Sequence, residues 1–392
     1  MTTTPAPGTA TATVAAARTL GPGLAARSAA IEANRTLPAD VVADLRAADL
    51  FRLFVPADLG GPELAPQDAL DVMEEVAFHD GAAGWCVMIS ATTGLVSASM
   101  PEDHARAVYA DPGSIVGGFA APMGRATVVD GGLRISGRWQ WGSGIRHCTA
   151  IGGGCLLVGP DGTPTARADG LIAPFAFFDR ADVEVLDTWH VAGLQGTGST
   201  DYTVTDAFVP EGRWAQLGAG RPVRGGALYR MPFFGLFALG VTAVSLGIAR
   251  RAVAEIVDLA GTKRPAGSSR PLAERGAIQA DIARAEAIVA ASRAFVADAV
   301  GIAWDTVQAG DEVSVEHRRR LRLAATHGTQ EAARAVDLAY TAAGGAAVYL
   351  TSPIQRAFRD VHVATQHAIT APRTFELAGR LALGLETDTR NL

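Results

Sequence analysis

The local texture of these 392 residues changes twice, and that order constrains the fold more than any single motif. Residues 26–110 read as helical. Leu37-Pro38-Ala39-Asp40 opens one helix with proline in its first turn, and Val41, Val42, Leu45 and Leu50 follow at helical spacing. Residues 68–99 continue the helical pattern. Between 111 and 224 the residues alternate, and Asp130-Gly131 supplies a hairpin turn. From 225 to 392 the chain reads as Ala-rich helices over 233–260, 275–308, 313–345 and 353–364, which predicts a bundle. Strands and helices never alternate, so a doubly wound dinucleotide-binding core is excluded. Residues 1–25, rich in Thr, Ala, Pro and Gly, are expected to form a mobile tail.

Composition removes several functional classes. Apolar residues make up 48% and charged residues 19%, which excludes a disordered chain. The net charge is −6, and the only basic cluster, Arg318 to Arg320 with Arg322, is short. A nucleic-acid partner is not expected. The three cysteines, Cys86, Cys148 and Cys155, form no CxxC, so the chain is expected to be cytoplasmic and without a disulfide framework. No charged side chain precedes Arg18, so a secretory leader is not expected. Residues 231–249 are uncharged and long enough to span a bilayer. Pro232, Gly235, Gly240 and Gly247 interrupt them, with Thr242 and Ser245. A core helix of the bundle, with no membrane partner, is the expectation. The eight histidines include no HExxH, and no metal site is expected.

Some residues invite a chemical reading. Trp141 and Ser143 lie two apart on an expected strand, which puts both on one side. The glycine-rich run from Gly193 to Ser199 is followed by a strand, so it fails as a dinucleotide fingerprint and reads either as a tight loop or as a flavin or substrate contact. Trp85 and Ile89 sit on a helix, where an aromatic can serve either core or pocket.

Five stretches, taken in order, resemble the acyl-CoA dehydrogenase fold, and more closely its two-component (group D) flavin-dependent monooxygenases. They are DGAAGWCVM at 80–88, GRWQWGSGIRHC at 137–148, DTWHVAGLQGTGSTDYTVTDAFVP at 187–210, KRPAGSSRPLAERGAIQADIA at 263–283 and AAGGAAVYLTSPIQRAFRDVHVATQH at 342–367. The resemblance implies an α+β chain with an N-terminal helical domain, a middle β-barrel-like domain and a C-terminal four-helix bundle. It implies a flavin site made by Phe119, Trp141, Ser143, Trp189, Arg264, Gly344 and Gly345, with Arg264 on the flavin pyrophosphate. Trp85 and Ile89 would contact substrate. Many dehydrogenases of this fold carry a catalytic glutamate after the Arg-Asp pair; Ala368 stands at that place here, preceded by His367. The resemblance therefore implies aromatic hydroxylation through a C4a-hydroperoxyflavin. Reduced flavin (FADH2 or FMNH2) would come from a separate reductase, with O2 as co-substrate. His367 would be the general base, with a pH limb near neutrality, and Ser143 would assist. A homotetramer is implied. Amine N-hydroxylation, acyl-CoA dehydrogenation and non-catalytic flavin binding are the alternatives.

Overall fold

The computed structural model describes residues 8–218, 222–224, 226–265, 267–390 and 392. The chain opens with α1 (Gly8–Asn34), α2 (Ala39–Ala47), α3 (Pro66–His79), α4 (Gly81–Gly94) and α5 (Glu102–Tyr109). The expected tail at 1–25 is corrected from Gly8 onward, where the chain is helix; residues 1–7 lie outside the described residues. Ala17, Leu24 and Ile31 recur every seven residues and are all buried, which gives this helix an apolar seam. The Gly-Pro-Gly at 21–23 does not break it. Gly21 instead admits the His79 ring of α3, since a Cβ there would stand 2.1 Å from Nε2.

The middle of the chain holds β1 (Val116–Val129), β2 (Gly132–Gly142), β3 (Ala150–Leu157), β4 (Pro174–Asp179), β5 (Val183–Val185), β6 (Thr200–Pro210) and β7 (Trp214–Gln216). They form one seven-stranded sheet in the order β5-β6-β2-β1-β3-β4-β7. Among the described residues, only β1 and β3 pair in parallel. No ladder joins β5 to β7 among the described residues, and the sheet curls in the expected barrel-like way, bringing Phe178 of β4 to 5.2 Å from Trp139 of β2. Its centre is rigid: Trp139 stacks on Tyr202 at 5.3 Å. The Tyr202 hydroxyl accepts the Phe119 N–H at 3.0 Å and donates to the Gly152 carbonyl at 2.5 Å.

The bundle follows as α6 (Phe233–Thr262), α7 (Gly276–Gln308), α8 (Val315–Ala343) and α9 (Pro353–Ala364), with a short α10 (Arg373–Ala382). Helix α6 contains residues 233–249 of the uncharged stretch. It packs against α3, α4, α8 and α9, and its apolar length is mostly buried there. Thr242, at the α6–α8 crossing, donates to the Ala325 carbonyl at 2.9 Å.

Candidate active site

The site forms where α4, the end of β2, the start of α6 and the turn after α9 converge. Asp80 caps α4, its carboxylate accepting the Ala83 N–H at 2.9 Å. The cap splits the single helical stretch read at 68–99 and fixes where α4 begins. Trp85, one turn in, is buried, and Ile89 follows it on the same face. The Trp85 and His367 rings lie 5.8 Å apart, and Phe237 of α6 meets His367 edge-on at 5.3 Å. Three separate segments thus place an indole, an imidazole and a phenyl ring around one recess. Phe237 carries no polar signal, and sequence reasoning missed it.

Trp141 and Ser143 do not share a strand face. Trp141 has φ +58°, inside a break in the β2–β6 register between Trp139 and Gly142. Its indole is 55% exposed and packs edge-on against Phe119 at 5.6 Å. A left-handed tryptophan with half its surface in solvent is strained and unprotected, a combination typical of binding sites. Ser143 lies just past the strand and is buried. Its hydroxyl accepts the Trp85 indole N–H at 3.0 Å and lies 2.7 Å from the Ser199 hydroxyl. Ser199 lies 2.6 Å from the Thr197 hydroxyl, which donates to the Leu194 carbonyl at 2.8 Å. Ser199 and Thr197 belong to the glycine-rich loop read as either a tight turn or a flavin or substrate contact, and neither was singled out; their paired hydroxyls were the available signal.

His367 is in the recess, with a protonation state the sequence could not give. Its Nδ1 accepts the Ile369 N–H at 3.2 Å. Burial pushes its pKa down to about 4, so the ring is neutral at neutral pH. With Nδ1 occupied as an acceptor, the ring proton sits on Nε2. In this geometry His367 therefore offers an N–H at Nε2, with Nδ1 engaged by the Ile369 N–H. Ala368 follows and brings no carboxylate. Asp360 is buried elsewhere, accepting the Leu194 N–H at 2.6 Å.

The remaining candidates are apart from the recess. Trp189 donates its indole N–H to the Leu194 carbonyl at 3.2 Å. It lines a cavity of about 330 Å³ with Arg35, Arg146, Asp187, Gly198 and Thr200, which neither Ser143 nor His367 touches. Arg264 is exposed on the loop after α6 and donates to the Ser269 carbonyl. It stands 27 residues beyond Phe237, about 40 Å at the helical rise, so one chain does not bring it to the recess. Gly344 and Gly345 follow α8 at the same end as Arg264, where Lys263 donates to the Ala343 carbonyl at 2.6 Å. A Cβ at either glycine would meet open space.

This geometry sets the chain among known proteins. Residues 13–103 match the acyl-CoA dehydrogenase N-terminal domain, and residues 239–372 match the acyl-CoA dehydrogenase C-terminal domain. Indole-3-acetate monooxygenase of Pseudomonas putida is 31% identical over 92% of this chain and 90% of its own length. The chain belongs to the acyl-CoA dehydrogenase-fold flavin-dependent monooxygenases. Within that family, the oxygenase subunit HsaA of Mycobacterium tuberculosis is 29% identical over 95% of both chains. A crystal structure of the HsaA monooxygenase superposes with a TM-score of 0.89, at 28% identity, covering 97% of this chain and 99% of that one. XiaF from Streptomyces, solved with FADH2 and glycerol, superposes at 0.90 with 25% identity, covering 96% of each.

Proposed function

We propose that this chain is the oxygenase component of a two-component system that hydroxylates an electron-rich aromatic compound with O2 and reduced flavin supplied by a separate reductase. The relatives named as an oxygenase subunit and as an FADH(2)-dependent oxygenase component support the division of labour. The observation that carries the reading is the Trp85–Ser143 hydrogen bond. It joins the aromatic wall of the recess to the polar end of β2. Exposed Trp141 with Phe119 fits one face of a planar heterocycle, and Ser143 fits its polar edge. This donor and ring set suits a flavin. When bound, reduced flavin supplies the activated oxygen.

The chain's own residues bind, orient and shield. Trp85, Ile89 and Phe237 enclose an aromatic substrate and exclude water. The His367 Nε2–H donates to a substrate oxygen and stabilises negative charge on it as the ring is hydroxylated. Drawing a proton from substrate into Nδ1 would require breaking the Ile369 bond. Arg264, Gly344 and Gly345 act at a neighbouring subunit's flavin, within a homotetramer. The exposed Val348, Tyr349 and Leu350 beside them support such an interface. Buried free thiols at Cys86, Cys148 and Cys155 support a reducing, cytoplasmic setting.

The test is turnover of a phenol, indole and amine panel with reduced FMN or FAD in air, read by mass spectrometry. Parallel assays offer acyl-CoA thioesters with an artificial electron acceptor. Hydroxylated aromatics and no acceptor reduction are expected. Acceptor reduction by any acyl-CoA chain length would restore the dehydrogenase reading.

A further inference from the structure

The hydroxyl chain behind Ser143 has a direction fixed at both ends. The Trp85 indole nitrogen can only donate, and the Leu194 carbonyl can only accept. Thr197 therefore spends its single proton on Leu194, 2.8 Å away. The 2.6 Å contact between Thr197 and Ser199 then requires Ser199 to be the donor. Ser199 has no other proton to give, so the 2.7 Å contact with Ser143 requires Ser143 to donate as well. Every proton in the series is assigned. Ser143 gives its hydrogen to Ser199, receives one from Trp85 at 3.0 Å, and keeps one lone pair. It can accept one more hydrogen bond and can donate none.

We propose that Ser199 and Thr197 are positioning residues that hold Ser143 as an acceptor only, and so make the site prefer reduced over oxidised flavin. The inference rests on the flavin reading above, in which Ser143 meets the polar edge of the ring. Reduced flavin carries a hydrogen on N5, which suits an acceptor. Oxidised flavin presents a bare lone pair at N5, which would face the Ser143 lone pair without a proton between them. Such a lone-pair contact leaves both groups unsatisfied in a dry site. Three further features hold the relay in place. Ser143, Ser199 and Thr197 are all buried, which keeps bulk water from competing as donor or acceptor. The Gly144 N–H donates to the Thr197 carbonyl at 2.8 Å, locking the loop onto the end of β2. Asp360 accepts the Leu194 N–H at 2.6 Å and fixes the terminal carbonyl.

The experiment is an anaerobic titration of the full-length protein with FMN and FAD in each redox state, read by fluorescence and equilibrium dialysis. Wild type should bind reduced flavin more tightly. Ser199→Ala removes the acceptor of the Ser143 proton and frees it to be donated to N5. Its ratio of oxidised to reduced Kd should fall by roughly 10-fold, chiefly through tighter oxidised binding. Thr197→Ser preserves the relay and should keep the wild-type ratio. An unchanged ratio in Ser199→Ala that still binds flavin, or equal affinity for both states in wild type, would overturn the proposal. Wild type that binds neither flavin in either state would instead overturn the flavin reading itself.

Discussion

His367 shows how far a residue's role depends on its neighbours. Sequence position alone put it beside the missing carboxylate. The Ile369 N–H on Nδ1 and the enclosing rings of Trp85 and Phe237 decide what it can do there. A lone imidazole gives no sign of its tautomer, so this was not legible. Two outcomes follow at this scale. His367→Ala should lower product formation by roughly 10- to 100-fold, the worth of one hydrogen bond to a developing charge. Hydrogen peroxide should then replace product while oxygen uptake continues; an oxygen-electrode and peroxide assay checks this. The pH profile gives the second. The pKa near 4 lies below the ordinary histidine value because burial disfavours the charged ring. The functional neutral ring is therefore fully populated at neutral pH and is lost only as pH falls toward 4. The rate should stay flat from pH 6 to 8 and fall on the acid side. A limb near neutrality, as the sequence alone suggested, would contradict this.

Among the elements, the bundle helices were the most legible, because glycines and prolines punctuate long apolar-periodic runs. The observed α7, α8 and α9 begin and end within two residues of their sequence-derived limits. Helix α1 was not legible, because its composition resembles a tail and its apolar seam is widely spaced. Leu24 is fully buried in that seam, so Leu24→Ala should destabilise the protein by about 2–5 kcal/mol, measured by urea unfolding. Strand-based alternation failed at Trp141, where a positive φ breaks the period of two. The docking of α9 carries a pH effect. Asp360 is buried against the 193–196 loop with Asp80 and Glu32 nearby, and Arg359 is its opposing charge. Burial, the largest cause, pushes its pKa up to about 7. A raised carboxyl pKa means folding favours the protonated form. Its destabilising effect grows as pH rises from about 4 and is complete above about 7. Asp360→Asn keeps an acceptor for Leu194 and removes the charge. Its Tm relative to wild type should therefore rise between pH 5 and pH 8. A Tm difference independent of pH would show that Asp360 is ionised throughout.

For the whole molecule, the helical–sheet–helical order sufficed to exclude a doubly wound dinucleotide-binding core, while the separate source of reduced flavin rested on the family resemblance. It could not show that Arg264, Gly344 and Gly345 lie at the far end of the bundle from His367, since that depends on how far α6 and α8 extend. In a tetramer these residues would complete a neighbour's site. Sedimentation of wild type should give four copies, and Arg264→Ala should weaken reduced-flavin binding by about 1–3 kcal/mol without changing assembly. The central claim is oxygen transfer to an aromatic ring. Labelling with 18O2 in the presence of reduced flavin tests it most directly. One labelled atom per molecule of hydroxylated product, with none from labelled water, is the predicted result. Product oxygen derived from water, or oxidation without any oxygen incorporated, would contradict it.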